Sequence, residues 1–240
     1  MFGRKKVAML VAEFLGTGVL TLVVLAVQRS TIGIAYFVAL AAGLAVASLS
    51  YVFASESGAH FNPAITIGLW SARKVKSVAA LMYVAAQLLG AWAAYGVYTY
   101  FVNTSLQPIG GHYTARILIA EAVGAFIFAF IWAAVAARKL APSLVGAGLV
   151  LGILVASVAS IGFINPAVAL GSRAWEVMGP NQWGTWGTFA LGPVIGGVVG
   201  FNLYQLVFSG ESLRLLPARA KASSAAAKAP AKRKPAKKRK

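Results

Sequence analysis

Asn62-Pro63-Ala64, within the stretch Ser57-Gly58-Ala59-His60-Phe61-Asn62-Pro63-Ala64-Ile65-Thr66, returns in the second half of the chain as Asn165-Pro166-Ala167. Asparagine is a favoured helix N-cap, and proline suits the first helical position because no N–H is needed there. Each tripeptide therefore predicts the start of a helix. The apolar stretches that follow, about 62–72 and about 165–175, are too short to cross a bilayer. A matched pair of short segments opened by proline is the sequence mark of re-entrant half-helices. Irregular backbone at membrane depth persists only where protein or a water-filled cavity satisfies its polar groups. The two asparagines thus mark where a pore is expected.

Working outward, six other segments have the roughly 20 apolar residues a membrane helix needs: about 7–27, 34–54, 78–102, 115–137, 143–162 and 186–208. The first follows Arg4-Lys5-Lys6 but is too long for the apolar region of a signal peptide, so it reads as a retained helix. Of the 240 residues, 59% are hydrophobic and 11% charged, against about 25% charged in a soluble domain. The absence of cysteine excludes disulfides and cysteine-ligated metals. Two histidines and five acids leave little material for catalysis. No enzyme activity and no cofactor are expected.

The chain repeats itself. Ala12-Glu13-Phe14-Leu15-Gly16 in the first span matches Ala120-Glu121-Ala122-Val123-Gly124 in the fourth. Gln87-Leu88-Leu89-Gly90 matches Pro193-Val194-Ile195-Gly196. Each half holds three spans and one half-helix. Three is odd, so the second half enters the membrane in the opposite sense and the half-helices meet near the midplane. The fold class expected is an all-α membrane protein of six transmembrane helices plus two re-entrant half-helices in an inverted repeat. The channel domain is placed at 7–212, with repeats at about 7–104 and 114–208, after an N-terminal segment 1–6.

The net charge of +17 is unevenly placed. Residues 217–240 hold ten Lys or Arg and no acid, in an Ala/Lys/Pro composition without apolar periodicity. Residues 213–240 are read as a basic disordered cytoplasmic tail. With the N-terminus inside, the inner flanks carry Arg4, Lys5, Lys6, Arg73, Lys74, Lys76, Arg138, Lys139 and Arg214, and the outer flanks only Arg29, Arg116 and Arg173. That asymmetry follows the positive-inside rule and predicts a multi-pass cell-membrane protein with both termini cytoplasmic. The tail's expected partner is anionic lipid, at about 1 kcal/mol per charge near the surface. Nonspecific contact with RNA is the alternative.

The stretch around Asn62 resembles the first signature loop of the aquaporins, the major intrinsic protein family, which usually reads Ser-Gly-Gly-His-hydrophobic-Asn-Pro-Ala-Val-Thr. The resemblance covers roughly residues 7–208. It implies a passive channel for water or another small uncharged solute, assembled as a homotetramer with one pore per subunit. Each asparagine caps through its amide oxygen, leaving the NH2 free to donate into the pore. Each capped end also carries roughly half a positive charge from the helix dipole. Two such ends facing one point donate to a water oxygen, repel cations and interrupt proton hopping, as in aquaporin-type pores.

The second half departs from the family pattern. Members usually read Asn-Pro-Ala-Arg, with that arginine in the outer filter, whereas Ala167 is followed by Val168. Arg173 comes five residues later, more than a helical turn away; it is assigned to the outer vestibule or to lipid headgroups rather than to the filter. By spacing, the other filter positions are Ala42, Gly162 and either Ile153 or Val155, depending on a gap. A filter of Ala42, Ile153 or Val155, Gly162 and Val168 is expected to be wide and apolar.

Glu13 and Glu121 are ionisable groups inside spans, which are functional candidates by default. A proton relay is one reading. The other is a buried acceptor holding backbone N–H groups of the neighbouring loop, which the symmetric pairing and the resemblance favour. Gln87 reads as an interior hydrogen-bonding residue, and His60 as lining the inner vestibule. Two rivals to a channel remain: a proton-coupled secondary transporter, which shares inverted repeats and broken helices, and a non-conducting membrane tether. Beyond the two glutamates, the spans offer no chain of carboxylates or histidines to relay protons.

Overall fold

The computed structural model describes residues 3–109, 114–175 and 187–208. The basic tail, His112 (read from sequence as a solvated loop residue) and Trp183 and Trp186 (read as membrane-interface anchors) lie outside the described residues. The helices are α1 (Arg4–Gln28), α2 (Ala35–Ser57), the short α3 (Pro63–Ser71), α4 (Ser77–Val102), α5 (Ala115–Ala137), α6 (Leu144–Ala156), the short α7 (Pro166–Gly171) and α8 (Gly192–Phe208), the last entered through a π-helical turn, Gly187–Leu191. No strand occurs among the described residues.

Five of the six spans fall within a few residues of their expected positions, the last counted with its π turn, although α1 already begins at Arg4, inside the segment expected to precede it. The fifth in chain order differs. Residues 143–162 were expected to span, but α6 has 13 residues, about 20 Å of helix, and stops at Ala156. Beyond it the backbone turns through Ser157 and Ser160 towards Gly162, at φ 76°. A side chain at 162 would come within 2.5 Å of the Ser157 Oγ, so a tight return replaces the last helical turns. The second half-helix is also shorter than expected, six residues against nine in α3.

The two halves interlock. α1 packs on α4 and α5 on α8, the same pairing within each repeat. The half-helices cross over, α3 packing on α8 and α7 on α4. Each half-helix is thereby held by the other repeat, and the sites it carries lie between the two.

Polarity is arranged as a bilayer demands. Glu13, Gln87 and Glu121 are fully buried, while Leu44, Leu81, Tyr100 and Val158 stand at least 70% exposed on the outside. Among the described residues, five helices, counting the π turn with α8, are long and apolar enough to cross a membrane.

A two-asparagine clasp and its cavities

Both asparagines cap as their sequence dictates. Asn62 is extended, and its Oδ1 accepts from the Ala64 N–H at 2.8 Å. Asn165 Oδ1 accepts from Ala167 N–H at 3.0 Å and Val168 N–H at 3.4 Å. The amide nitrogens are not wholly free, as the sequence had suggested. Asn62 Nδ2 donates to the Ile164 carbonyl at 3.0 Å, and Asn165 Nδ2 donates to the Phe61 carbonyl at 2.9 Å. Each half-helix start is therefore tied to the loop that leads into the other. An amide NH2 has two hydrogens, so one remains on each asparagine after the clasp.

The carbonyls that receive these bonds belong to residues in an unusual conformation. Phe61 and Ile164 sit at φ 49° and 43°, in the left-handed region. This is rare for any side chain and rarer still for a β-branched one. The glutamates supply the restraint. Glu13 Oε1 accepts from Ser57 Oγ at 2.6 Å and His60 N–H at 3.0 Å; its Oε2 accepts from Phe61 N–H at 2.8 Å and Gln87 Nε2 at 2.7 Å. Glu121 does the same for the second loop. It accepts from Ser160 Oγ, from Gly162 and Phe163 N–H at 3.0 and 3.1 Å, and from Ile164 N–H at 2.6 Å. Serine at 57 and 160 repeats the pattern, a match the sequence comparison missed because a lone serine carries no signal.

Gln87 also donates to Thr66 Oγ1 at 2.9 Å, and that hydroxyl lies 3.1 Å from His60 Nδ1. Glu13, Gln87, Thr66 and His60 thus form one buried network. Pro193, the counterpart of Gln87, has no donor to offer Glu121.

Cavities lie on both sides of the clasp among the described residues. At the far end, a space of about 20 Å³ is bounded by Ala42, Ile153, Gly162, Val168, Asn165, Val24, Val38, Leu149 and Phe163, among others. Ile153 borders it, whereas Val155 is 41% exposed on the outer surface. This volume holds about one water, so the opening is narrower than the loss of the arginine suggested. Val38, Leu149 and Phe163 fill the room from positions that spacing did not single out. At the end where Lys74, Arg138 and Lys139 gather, there are two larger cavities. One of about 590 Å³ lies between α3, α5 and α8 and is lined in part by His60, Leu69, Lys74, Trp132 and Phe201. The other, about 150 Å³, lies between α2, α5, α6 and the loop at Gly58 and Ala59.

Arg173 takes no part in the narrow space. Its side chain donates to the Leu106 carbonyl, and Arg29 donates to the Gln107 carbonyl at 3.0 Å, so both reach the connection after α4. The backbone explains Arg173. It is the left-handed residue that ends α7, at φ 59°, with its N–H on Leu170 O and the Ala174 N–H on Ala169 O. Arg73 ends α3 in the same way, also at φ 59°. Arg173 is thus the counterpart of Arg73 and not of a filter arginine.

Comparison with known proteins agrees with this architecture. The family model described as major intrinsic protein matches residues 4–204. Aquaporin AqpM of Methanothermobacter thermautotrophicus is 33% identical over 189 residues, covering 72% of this chain and 76% of the relative. Aquaporin Z of Photorhabdus laumondii is 30% identical, covering 83% of this chain and 97% of the relative. The X-ray structure of the aquaglyceroporin from Plasmodium falciparum superimposes with a TM-score of 0.64 at 26% identity, covering 84% of this chain. With two asparagine-capped half-helices clasped between inverted repeats and a family match over nearly all its described residues, the chain belongs to the major intrinsic protein family, the aquaporins, as a multi-pass membrane channel for water or small solutes and not an enzyme.

Proposed function

We propose that the chain is a passive, water-conducting channel whose outer filter is a narrow apolar ring of Ala42, Ile153, Gly162 and Val168 in place of an arginine-containing one. The observation that carries this is the continuity of two helix faces. On α2, Val38 and Ala42 border the narrow cavity and Ser50 and Ala54 border the 150 Å³ cavity, with buried Val46 between. On α6, Leu149 and Ile153 border the first and Val145 the second. Residues four apart share a helix face, so both faces run past the asparagine clasp from one cavity to the other. Apolar walls bind water weakly and let it pass unless a tight ring dewets. The remaining N–H of each asparagine supplies the polar station midway.

Proton relay through the glutamates has no such support. Each of their oxygens already accepts at least one hydrogen bond, and most of these come from the loop backbone. We assign them, with Gln87, to holding the loops, and His60 to the wall of the larger basic-end cavity rather than to the solute path. The homotetramer is carried over from the family resemblance. Residence in the cell membrane with cytoplasmic termini rests on the positive charges at 4–6, 73–76 and 138–139. The basic tail is assigned to anionic inner-leaflet lipid.

Stopped-flow light scattering of proteoliposomes tests the channel. Water permeability several-fold above empty liposomes is expected in sucrose, with glycerol and urea close to background because the ring admits about one water. Permeability no higher than empty liposomes for all three would end the channel reading. Rapid glycerol entry would restore the wide filter.

A further inference from the structure

Trp132, on α5, borders both cavities at the basic end, the one of about 590 Å³ and the one of about 150 Å³. Only the smaller continues the α2 and α6 faces that bound the narrow filter. The larger is walled by α3, α5 and α8, and neither α2 nor α6 contributes to it. The indole is clamped between rings from other elements. Its plane is 82° to His60 at 5.8 Å and 70° to Phe201 at 5.4 Å, both edge-to-face. His60 is held in turn by Tyr83 at 5.1 Å and by Thr66. A side chain held by packing on both sides acts as a fixed wall rather than as a mobile flap.

We infer that Trp132 is the dividing wall at the basic-end mouth: it partitions a side chamber off the conduit, so solute passes through the 150 Å³ cavity beside Ser50 and Gly58 and not through the larger space. This rests on the channel reading above. The partition confines the mouth to a width set by the indole. Without it the two cavities merge, and the mouth widens by the volume of the side chamber. The larger chamber is the one a search for the widest opening would choose, and it has the basic rim of Lys74 and Arg138. Its walls nonetheless lead between α3 and α8 instead of to the outer filter.

The natural chain has no cysteine, so single thiols report position without background. Ala54→Cys places one in the smaller cavity and Ala137→Cys one in the larger. Each variant is labelled in detergent with a bulky methanethiosulfonate, labelling is verified by mass, and the protein is reconstituted. Its water permeability is compared with that of the same variant unlabelled, which must itself exceed empty liposomes. Labelled Ala54→Cys is expected to lose at least fivefold and labelled Ala137→Cys to stay within a factor of about 1.5. Full flux through labelled Ala54→Cys, or block by labelled Ala137→Cys, overturns the partition while leaving the channel itself established by the unlabelled controls. Adding Trp132→Ala to Ala137→Cys merges the cavities, so labelling is then expected to lower water permeability at least threefold, whereas adding Trp132→Phe, which keeps a ring in place, leaves the labelled protein within a factor of about 1.5. A labelled Ala137→Cys, Trp132→Ala double variant that conducts water as freely as its unlabelled form also overturns the assignment.

Discussion

A carboxylate buried in a membrane protein is costly unless its oxygens are satisfied. Glu13 and Glu121 meet that condition by accepting the N–H groups of the two loops, and in doing so they fix Phe61 and Ile164 at positive φ. Left-handed backbone costs roughly 1–2 kcal/mol per non-glycine residue, which these charge-assisted hydrogen bonds offset. Glu13→Ala removes the acceptor from His60 and Phe61 N–H, Ser57 and Gln87 together. At about 1–3 kcal/mol per orphaned buried donor, the variant is expected to lose several kcal/mol, read as a marked fall in thermal midpoint and loss of water flux. A midpoint matching the parent protein would contradict the anchoring role. Asn62→Asp acts differently. It removes the donor to Ile164 O and places a negative charge where the helix end favours anions. A higher cation leak is expected than for Arg173→Ala, whose side chain lies with the connection after α4. Ion flux into proteoliposomes loaded with a pH- or potassium-sensitive dye compares the two, and equal leaks would argue against cation exclusion at the clasp.

At the scale of elements, the helices approach so closely that their crossing points exclude side chains. A Cβ on Gly43 would lie 2.7 Å from the Gly146 carbonyl, and one on Gly146 would lie 2.2 Å from the Gly43 carbonyl. This mutual contact joins α2 to α6, the two faces of the proposed conduit. Gly43→Val must drive the helices apart, at a cost of about 1–3 kcal/mol or more. A lower thermal midpoint and altered water permeability are expected, with Gly96→Ala, which meets nothing within 4 Å, as a neutral control. Equal stability of the two variants would refute the close contact. Three helix ends also share one device. α3, α5 and α7 each terminate in a left-handed cation, Arg73, Lys139 and Arg173, at φ 59°, 52° and 59°. The place is one glycine usually fills, and the positive charge there meets the negative end of the helix dipole.

The whole molecule is an inverted pair whose half-helices exchange partners, each docking on the opposite repeat. The charges underlie the proposed orientation with both termini cytoplasmic, and the cysteine-free chain allows a direct check. Ser105→Cys in intact cells is expected to react with a membrane-impermeant maleimide added outside, and Ser77→Cys only after the membrane is opened. The reverse pattern would invert the topology. Much of this organisation is legible in the sequence, because it is written in local chemistry. An asparagine followed by proline caps a helix wherever it occurs, apolar length sets a span, and the two glutamates mark equivalent points of a repeat. The limits are equally physical. The premature end of α6 is a tight backbone return at Gly162, and apolar length alone gives no stop signal there. The clasp between the asparagines and the opposite carbonyls joins residues more than 100 positions apart.

The sequence by itself determined the membrane class, the inverted repeat, the two capping asparagines and the charge asymmetry, since each depends on residue type and spacing along one chain. Tertiary structure alone decided that Ile153 and not Val155 borders the narrow cavity, that the space there is about 20 Å³, and that Arg173 ends a helix. The reason lies in the helices themselves. A helix that is apolar on every side has no polar stripe to tell its inward face from its outward one, so the direction of each side chain is set only when its neighbours pack against it.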